Sequence, residues 1–305
     1  MAISKPRAPQ GFSRPTDLPQ GAEQATRWQE ANRTWWEAHP MRYDWKEQLG
    51  HPEFSREFFD EIDRRFFSST AEYMPWSRIP FDPLIDFESL REMDVLEIGV
   101  GNGSHAALLA RHARSFTGID LTDYAVTSTR ERFRRFELAG RIERMDAERM
   151  EFADQSFDFI WTWGVIHHSS NTRRILQEMC RVLRPGGKAT TMVYYRNLWN
   201  YYVAGGFFHG LLKGDLLRTR SLNQTVQRHT DGAIARYYSI PEWKELVSEF
   251  FRVERVLVFG SKPEILPIPG GRVKNQLLKL IPNSASRFLT NRLRFGQFLV
   301  SDLRK

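Results

Sequence analysis

The sequence predicts an α/β fold, a mostly parallel sheet covered by helices on both faces, and three observations predict it. From about residue 93, short apolar runs alternate with helical stretches, the order that parallel strands with crossover helices require. Seven runs are long enough for strands: VLEIGV, SFTGID, RIERMD, FDFIWTW, KATTMVYY, RVERVLVF (252–259) and GQFLVSDL (296–303). The chain of 305 residues, 41% of them hydrophobic, also suffices for one large core with an accessory region.

Residues 1–21 carry Lys5, Arg7 and Arg14 among Pro6, Pro9, Pro15 and Pro19, and read as a flexible leader without the apolar run of a signal peptide. Residues 22–92 read as a helical cap. Helices are expected at 22–38 and 53–73, the second with Phe58, Phe59, Ile62, Phe66 and Phe67 at spacings of three and four. Residues 93–305 then hold the sheet as one domain. Its helices are expected at 103–113, 122–138 and 171–183, the last stopped at Arg184-Pro185-Gly186-Gly187. Two insertions, at about 197–239 and 261–295, interrupt the later strands.

Composition excludes several classes. The only cysteine, Cys180, rules out an internal disulfide and a thiolate metal cluster, so a reducing, cytoplasmic setting is expected. No metal is expected. The longest apolar stretch, 198–212, is broken by Asn200 and His209 and falls short of the roughly 20 residues a spanning helix needs. The formal charge of +7 is concentrated in the insertions. The first has five basic residues against two acidic, the second seven against one.

The sharpest motif is VLEIGVGNGSHAALLA (95–110), a buried strand running through Gly99, Gly101 and Gly103 into a helix. Glycines at such a turn let a ligand approach the backbone, although a tight strand-to-helix turn needs glycine in any case. Glu97 precedes the first glycine, Asp120 closes the second strand where an acid can hold ribose hydroxyls, and Asp146 closes the third, where a carboxylate can accept from an exocyclic amine. Both aspartates also suit helix N-caps. A dinucleotide fingerprint would want glycine at Ser104, so the spacing excludes it.

The glycine loop after an acidic strand, Asp120, Asp146-Ala147, FDFIWTWGVIHH and RVLRPGGK together resemble the class I S-adenosylmethionine (SAM)-dependent methyltransferase family. The resemblance is strong over residues 93–195 and weak over 240–305. It implies a Rossmann-like, seven-stranded class I methyltransferase sheet, here with the N-terminal helical cap and inserted lid segments. It also implies SAM as cofactor and S-adenosylhomocysteine as product. Gly99, Gly101, Asn102 and Gly103 would pass under the methionine portion, with Glu97 near its ammonium end. Asp120, Leu121 and Thr122 would hold the ribose, and Asp146 and Ala147 would face adenine. Thr162 and Trp163 would present backbone near the sulfonium.

A sulfonium methyl needs an aligned nucleophile and, for a hydroxyl acceptor, a base. His167 and His168 follow the fourth strand, where the sheet opens onto a substrate pocket, and histidine has the right basicity. The family supports a base at this place, His168 ahead of His167. In several members a carboxylate on the fifth strand orients that imidazole. Here Val193 stands there, so pocket lining or helix capping are the alternatives. Tyr194 and Tyr195 are further candidates for the pocket, with packing expected for one of them because strand neighbours point to opposite faces. Trp163-Gly164-Val165-Ile166 replaces the motif of base-amino methyltransferases, so no nucleic acid is expected.

The expected reaction is transfer of methyl from SAM to a small molecule, at an oxygen of an anionic or partly apolar metabolite. Arg196, Arg228, Arg236 and Arg272 are the candidates to hold an anionic acceptor, since guanidinium pairs with carboxylate or phosphate through two parallel bonds. The aromatic first insertion suggests a lid over an apolar substrate or an amphipathic helix in peripheral contact with a membrane, with packing against the cap as the plain alternative. An isoprenoid or quinone-lipid methyltransferase, or a non-catalytic SAM-binding partner protein, are the competing readings.

Overall fold

A computed structural model describes residues 11–44, 47–266, 268 and 271–305. Its sheet contains β1 (Asp94–Ile98), β2 (Ser115–Asp120), β3 (Arg141–Arg144), β4 (Phe157–Trp163), β5 (Leu183–Tyr195), β6 (Tyr237–Tyr238), β7 (Arg252–Phe259) and β8 (Phe298–Arg304). The order is β3-β2-β1-β4-β5-β8-β7. β8 is antiparallel to both of its neighbours, and β1 to β5 run parallel. Strand order reverses between β1 and β4, which leaves a crevice at their carboxyl ends.

All seven expected strands form, and the sheet gains one more. β6 pairs with Tyr194 and Tyr195 of β5, along the edge that β4 leaves after Trp163 pairs with Met192. Two residues carry no periodicity, so nothing in the sequence marks this strand. A second difference lies at Arg184-Pro185-Gly186-Gly187. The preceding helix ends at Val182, just ahead of them, as expected, but they also belong to the next strand. They bulge within β5, where Leu183 pairs with Phe157 but Lys188 already pairs with Phe159.

Helices α1 (Ala22–Ala38) and α2 (Arg56–Tyr73) precede the sheet, and α3 (Ser104–Ala110), α4 (Asp123–Arg135) and α5 (Thr172–Val182) lie between its strands. Ser55, Thr122 and Asn171 cap α2, α4 and α5 by accepting first-turn amide protons. Further on lie a wide helix at Leu198–Leu212, then α6 (Asp215–Thr219), α7 (Leu222–Gln227), α8 (Ile240–Ser248), α9 (Arg272–Leu280) and α10 (Asn283–Arg287). Among the described residues, no helix is long and apolar enough to cross a membrane.

Strand alternation sends Leu96 and Ile160 to one face, with α5 and Trp243 of α8, and Val95, Phe159 and Trp161 to the other. Phe66 and Phe81 of the cap join the second face. The cap is further fixed by Arg132, which lies over the Phe59 ring and pairs with Asp63 at 2.7 Å. The leader is described from Gly11 onward, and its first ten residues lie outside the described residues. Phe12 is buried edge-on against Trp28 at 4.5 Å, and its carbonyl accepts from Asn223 and Gln227.

Candidate active site

The crevice is a cleft of about 780 Å³ lined by the β1–α3 turn, the ends of β2, β4 and β5, and the cap. Gly99, Gly101 and Gly103 all have positive φ, 84°, 54° and 79°. Their neighbourhoods differ. A β-carbon on Gly99 would sit 2.2 Å from Val165 and one on Gly103 3.0 Å from Thr129, whereas one on Gly101 would meet nothing within 4 Å. Gly99 and Gly103 therefore serve the packing of the turn, and Gly101 opens it to the cleft. Gly103 is not part of the cleft wall.

Asp120 braces this loop. One carboxylate oxygen accepts from the Gly101 amide at 3.2 Å, the other from the amide and hydroxyl of Thr122 at 3.0 and 2.9 Å. Burial pushes its carboxyl above the ordinary range. Asp146 accepts from Gln29 Nε2 and the Glu148 amide, both at 2.9 Å, and is raised by burial too. Leu121, Thr122, Ala147 and Trp163 share the wall. Thr162 does not, being fully buried between the sheet faces. Asn102 joins the loop to the cap, donating to the Met41 carbonyl at 2.8 Å and accepting from Ser128 at 2.7 Å.

Glu97 lies behind the loop, 1% exposed and outside the cleft wall. Its Oε1 is 3.8 Å from His105 Nδ1 and its Oε2 has no hydrogen-bond partner among the described residues. Burial, and then the charge of Asp120, push its carboxyl well above the usual range, while burial holds the His105 imidazole down to about 3, so the histidine offers no countercharge. Unfolding restores the ordinary pKa of Glu97, so its folded form is favoured at acid pH and loses stability as pH rises through the raised value. Glu97→Gln should therefore melt a few degrees above the wild-type protein at neutral pH, the gap vanishing below about pH 4. A gap independent of pH in thermal melts would show that this carboxylate carries no desolvation cost.

An open glycine edge, an acid at each of two strand ends and a buried carboxylate lacking a cation fit a nucleoside bearing an ammonium tail. The residues present thus suit SAM.

His168 lines the opposite part of the cleft. Its Nδ1 lies 2.8 Å from the Ile234 carbonyl, so Nδ1 carries the proton and Nε2 the basic lone pair. Gly232 packs so closely that a β-carbon there would come within 2.5 Å of Nδ1. The orienting acceptor that β5 lacks at Val193 is thus a backbone carbonyl from the first insertion. Tyr194 also faces the cleft and donates to both oxygens of Asp231, at 2.9 and 3.1 Å. Trp36 of α1 stands edge-on to His168 at 5.0 Å, and Asn32 donates to the His168 carbonyl while accepting from the Ile234 amide.

Other expected residues are placed elsewhere. His167 is fully buried outside the cleft wall, with neither ring nitrogen hydrogen-bonded among the described residues and its ring 4.0 Å from that of Tyr194. Burial, and then the neighbouring His168 and Arg236, drive its basicity far down, so it packs as a neutral ring. Tyr195 turns to the α5 side of the sheet. The four arginines do not converge on the cleft. Arg196 pairs with Glu242 at 2.8 Å. Arg236 is buried over the Phe12 ring and donates to the carbonyls of Asp17, Ser169 and Ser170. Arg228 and Arg272 are exposed and away from the wall. The arginines that do line the cleft, Arg64 and Arg65, are both engaged by Glu61, at 2.6 and 2.7 Å.

Residues that the motifs missed come mainly from the cap and the first insertion: Gln29, Asn32, Trp36, Tyr43 and Asp231. Gln29, Asn32 and Trp36 recur at helical spacing, a signal that marks one face of α1 but not what it covers.

Residues 96–191 match the methyltransferase domain family. The chain is 41% identical over 96 residues to a phthiotriol/phenolphthiotriol dimycocerosates methyltransferase of Mycobacterium tuberculosis, a stretch covering 30% of this chain and 34% of that one. It is 32% identical over 111 residues to a 27-O-demethylrifamycin SV methyltransferase of Amycolatopsis mediterranei, covering 35% and 41%. The matched stretches thus span less than half the length of these relatives. Among solved structures it superposes on a geranyl diphosphate C-methyltransferase from Streptomyces coelicolor, with a TM-score of 0.54, 15% identity and coverage of 92% of this chain and 98% of that one. At that identity the likeness concerns the fold.

Proposed function

Since the chain is built around a class I, SAM-dependent methyltransferase domain, we propose that it methylates a hydroxyl of an apolar small molecule or lipid. When bound, SAM supplies an electrophilic methyl group, and the remaining work falls to this chain's residues. Asp120 and Asp146 hold the two ends of the nucleoside, and Gly101 gives it room beside the loop. Glu97, buried behind the loop without a cation of its own, would ionise only against the ammonium end of a bound ligand.

The observation that carries the reading is the tautomer of His168. With Nδ1 committed to Ile234, Nε2 is the nitrogen able to take a proton from an acceptor hydroxyl in the cleft. Tyr194 and Asp231, side by side there, can position that hydroxyl. Trp36, Met41, Tyr43, Phe66, Met192 and Phe298 make the wall apolar. Its fixed charges are carboxylates and two arginines already paired, which favours an uncharged acceptor over an anionic one. The names of the relatives, one for an O-demethyl compound and one for a dimycocerosate, run in the same direction.

Incubation with methyl-labelled SAM and a panel of apolar alcohols and phenols tests the proposal. Label should enter the organic phase only with acceptors whose hydroxyl is free. Label on carbon, or a preference for carboxylated acceptors, would replace this reading. Binding of SAM without turnover on any acceptor would favour a non-catalytic partner protein.

A further inference from the structure

We propose that the two insertions together form a docking surface that seats the protein on a lipid bilayer with anionic headgroups. Apart from Leu18, every exposed large apolar side chain among the described residues lies between 198 and 217 or between 268 and 293. The wide helix Leu198–Leu212 turns Phe207, Phe208, Leu211 and Leu212 to solvent, the last two 62% and 65% exposed, and Leu217 beyond it is 85% exposed. Such density in two short segments is not what a solvated surface carries.

α9 shows the pattern most sharply. Val273, Leu277 and Leu280 recur at spacings of four and three on one face, and that face is in water, at 67%, 42% and 79% exposure. Leu278 is its one buried residue. A helix that packs on a core turns its apolar stripe inward; this stripe points away from the body, as in helices that lie in a membrane interface. Phe288 and Leu293 extend the apolar surface past α10.

Charge selects the occupant. The first insertion carries +3 and the second +6, more than the +7 of the whole chain, so the rest of the protein is slightly acidic. Lys213, Arg218 and Arg220 border the wide helix, and Arg272 and Lys279 border the α9 stripe. Cations beside exposed leucine and phenylalanine match an anionic bilayer surface, where headgroups take the charge and acyl chains the apolar face. A nucleic acid would meet the cations and leave the leucines in water.

The two insertions meet at their bases. Asn197 donates to the Phe295 carbonyl at 2.9 Å, and the Trp199 and Phe295 rings are 6.0 Å apart. Asn200 donates to Gln297 at 2.8 Å, and Gln297 with Phe298 lines the cleft. The bases of the insertions therefore adjoin the cleft, and docking through their exposed faces would bring it toward acceptors dissolved in the bilayer. The docking itself does not depend on the identity of the acceptor.

Sedimentation of the full chain with vesicles tests this. Binding to phosphatidylcholine vesicles containing phosphatidylglycerol should exceed binding to phosphatidylcholine alone by roughly tenfold, and should weaken as salt is added. The double variants Leu211→Glu/Leu212→Glu and Val273→Glu/Leu280→Glu should each lower it by about tenfold or more, with circular dichroism and S-adenosylhomocysteine titration unchanged. Three results would overturn the proposal: no sedimentation with either vesicle; full binding retained in both double variants, which would leave a charge-only patch of the kind nucleic acid uses; or a dimer in vesicle-free solution that the same variants dissociate, making a second copy the occupant.

Discussion

Gly101→Val should abolish S-adenosylhomocysteine binding, by roughly a hundredfold or more in Kd, while the far-UV spectrum stays that of the wild-type protein. Of the three glycines in the loop, only Gly101 has open space where a β-carbon would go, so valine meets the ligand there and not the protein. Its φ of 54° costs a branched side chain about 1–2 kcal/mol, which should lower the melting temperature modestly without unfolding the chain. Asp120→Ala tests the same site independently of that strain. It removes the acceptor of the Gly101 amide and of Thr122 as well as the ribose contact, and a loss of about 1.5–3 kcal/mol, tenfold or more, is expected. Calorimetry with unchanged affinity in both variants would move the cofactor out of this cleft.

His168→Ala should lower the single-turnover rate of methyl transfer by about 10² to 10⁴ with S-adenosylhomocysteine affinity preserved, because the imidazole removes the acceptor proton and does not hold the cofactor. A companion variant separates placement from presence. Gly232→Ala keeps the histidine but sets a methyl group within 2.5 Å of Nδ1, at a φ of 79° that alanine resists, so the ring must turn away from Ile234. Its transfer rate should fall too, by less than in His168→Ala. If both variants transferred methyl at the wild-type single-turnover rate, alignment alone would drive transfer and the base would have to be abandoned.

The strands, the glycine loop and the acids at their ends were legible because each is local: alternation or a fixed spacing carries the whole signal. The place of His168 was legible for the same reason. Its partner was not, since the missing carboxylate at Val193 is replaced by the carbonyl of Ile234, and any residue presents a carbonyl. The cap's part in the cleft escaped as well, because Gln29 and Asn32 act through contacts over a hundred residues away in sequence. Charge counting located the basic insertions but not the direction of their side chains. Arg236 shows why: nothing in its neighbourhood of sequence reveals that Phe12 and three carbonyls draw it inward. Val273, Leu277 and Leu280 teach the converse, since periodicity marks an apolar stripe without saying whether protein covers it.

The stitching of α1 across the cleft bears on time. Gln29 bonds Asp146 and the Ser170 amide, Asn32 bonds both sides of the His168 turn, and Glu37 accepts from the amides of Asp123 and Tyr124 at the start of α4. If these contacts retain a spent nucleoside, its residence is set by how often the helix lifts, and transfer itself is then the faster event. The first catalytic cycle should then outrun the later ones, visible in rapid-quench records as a burst close to one product per chain, and loosening the clasp with Gln29→Ala should raise the steady rate where a purely chemical limit would leave it unmoved.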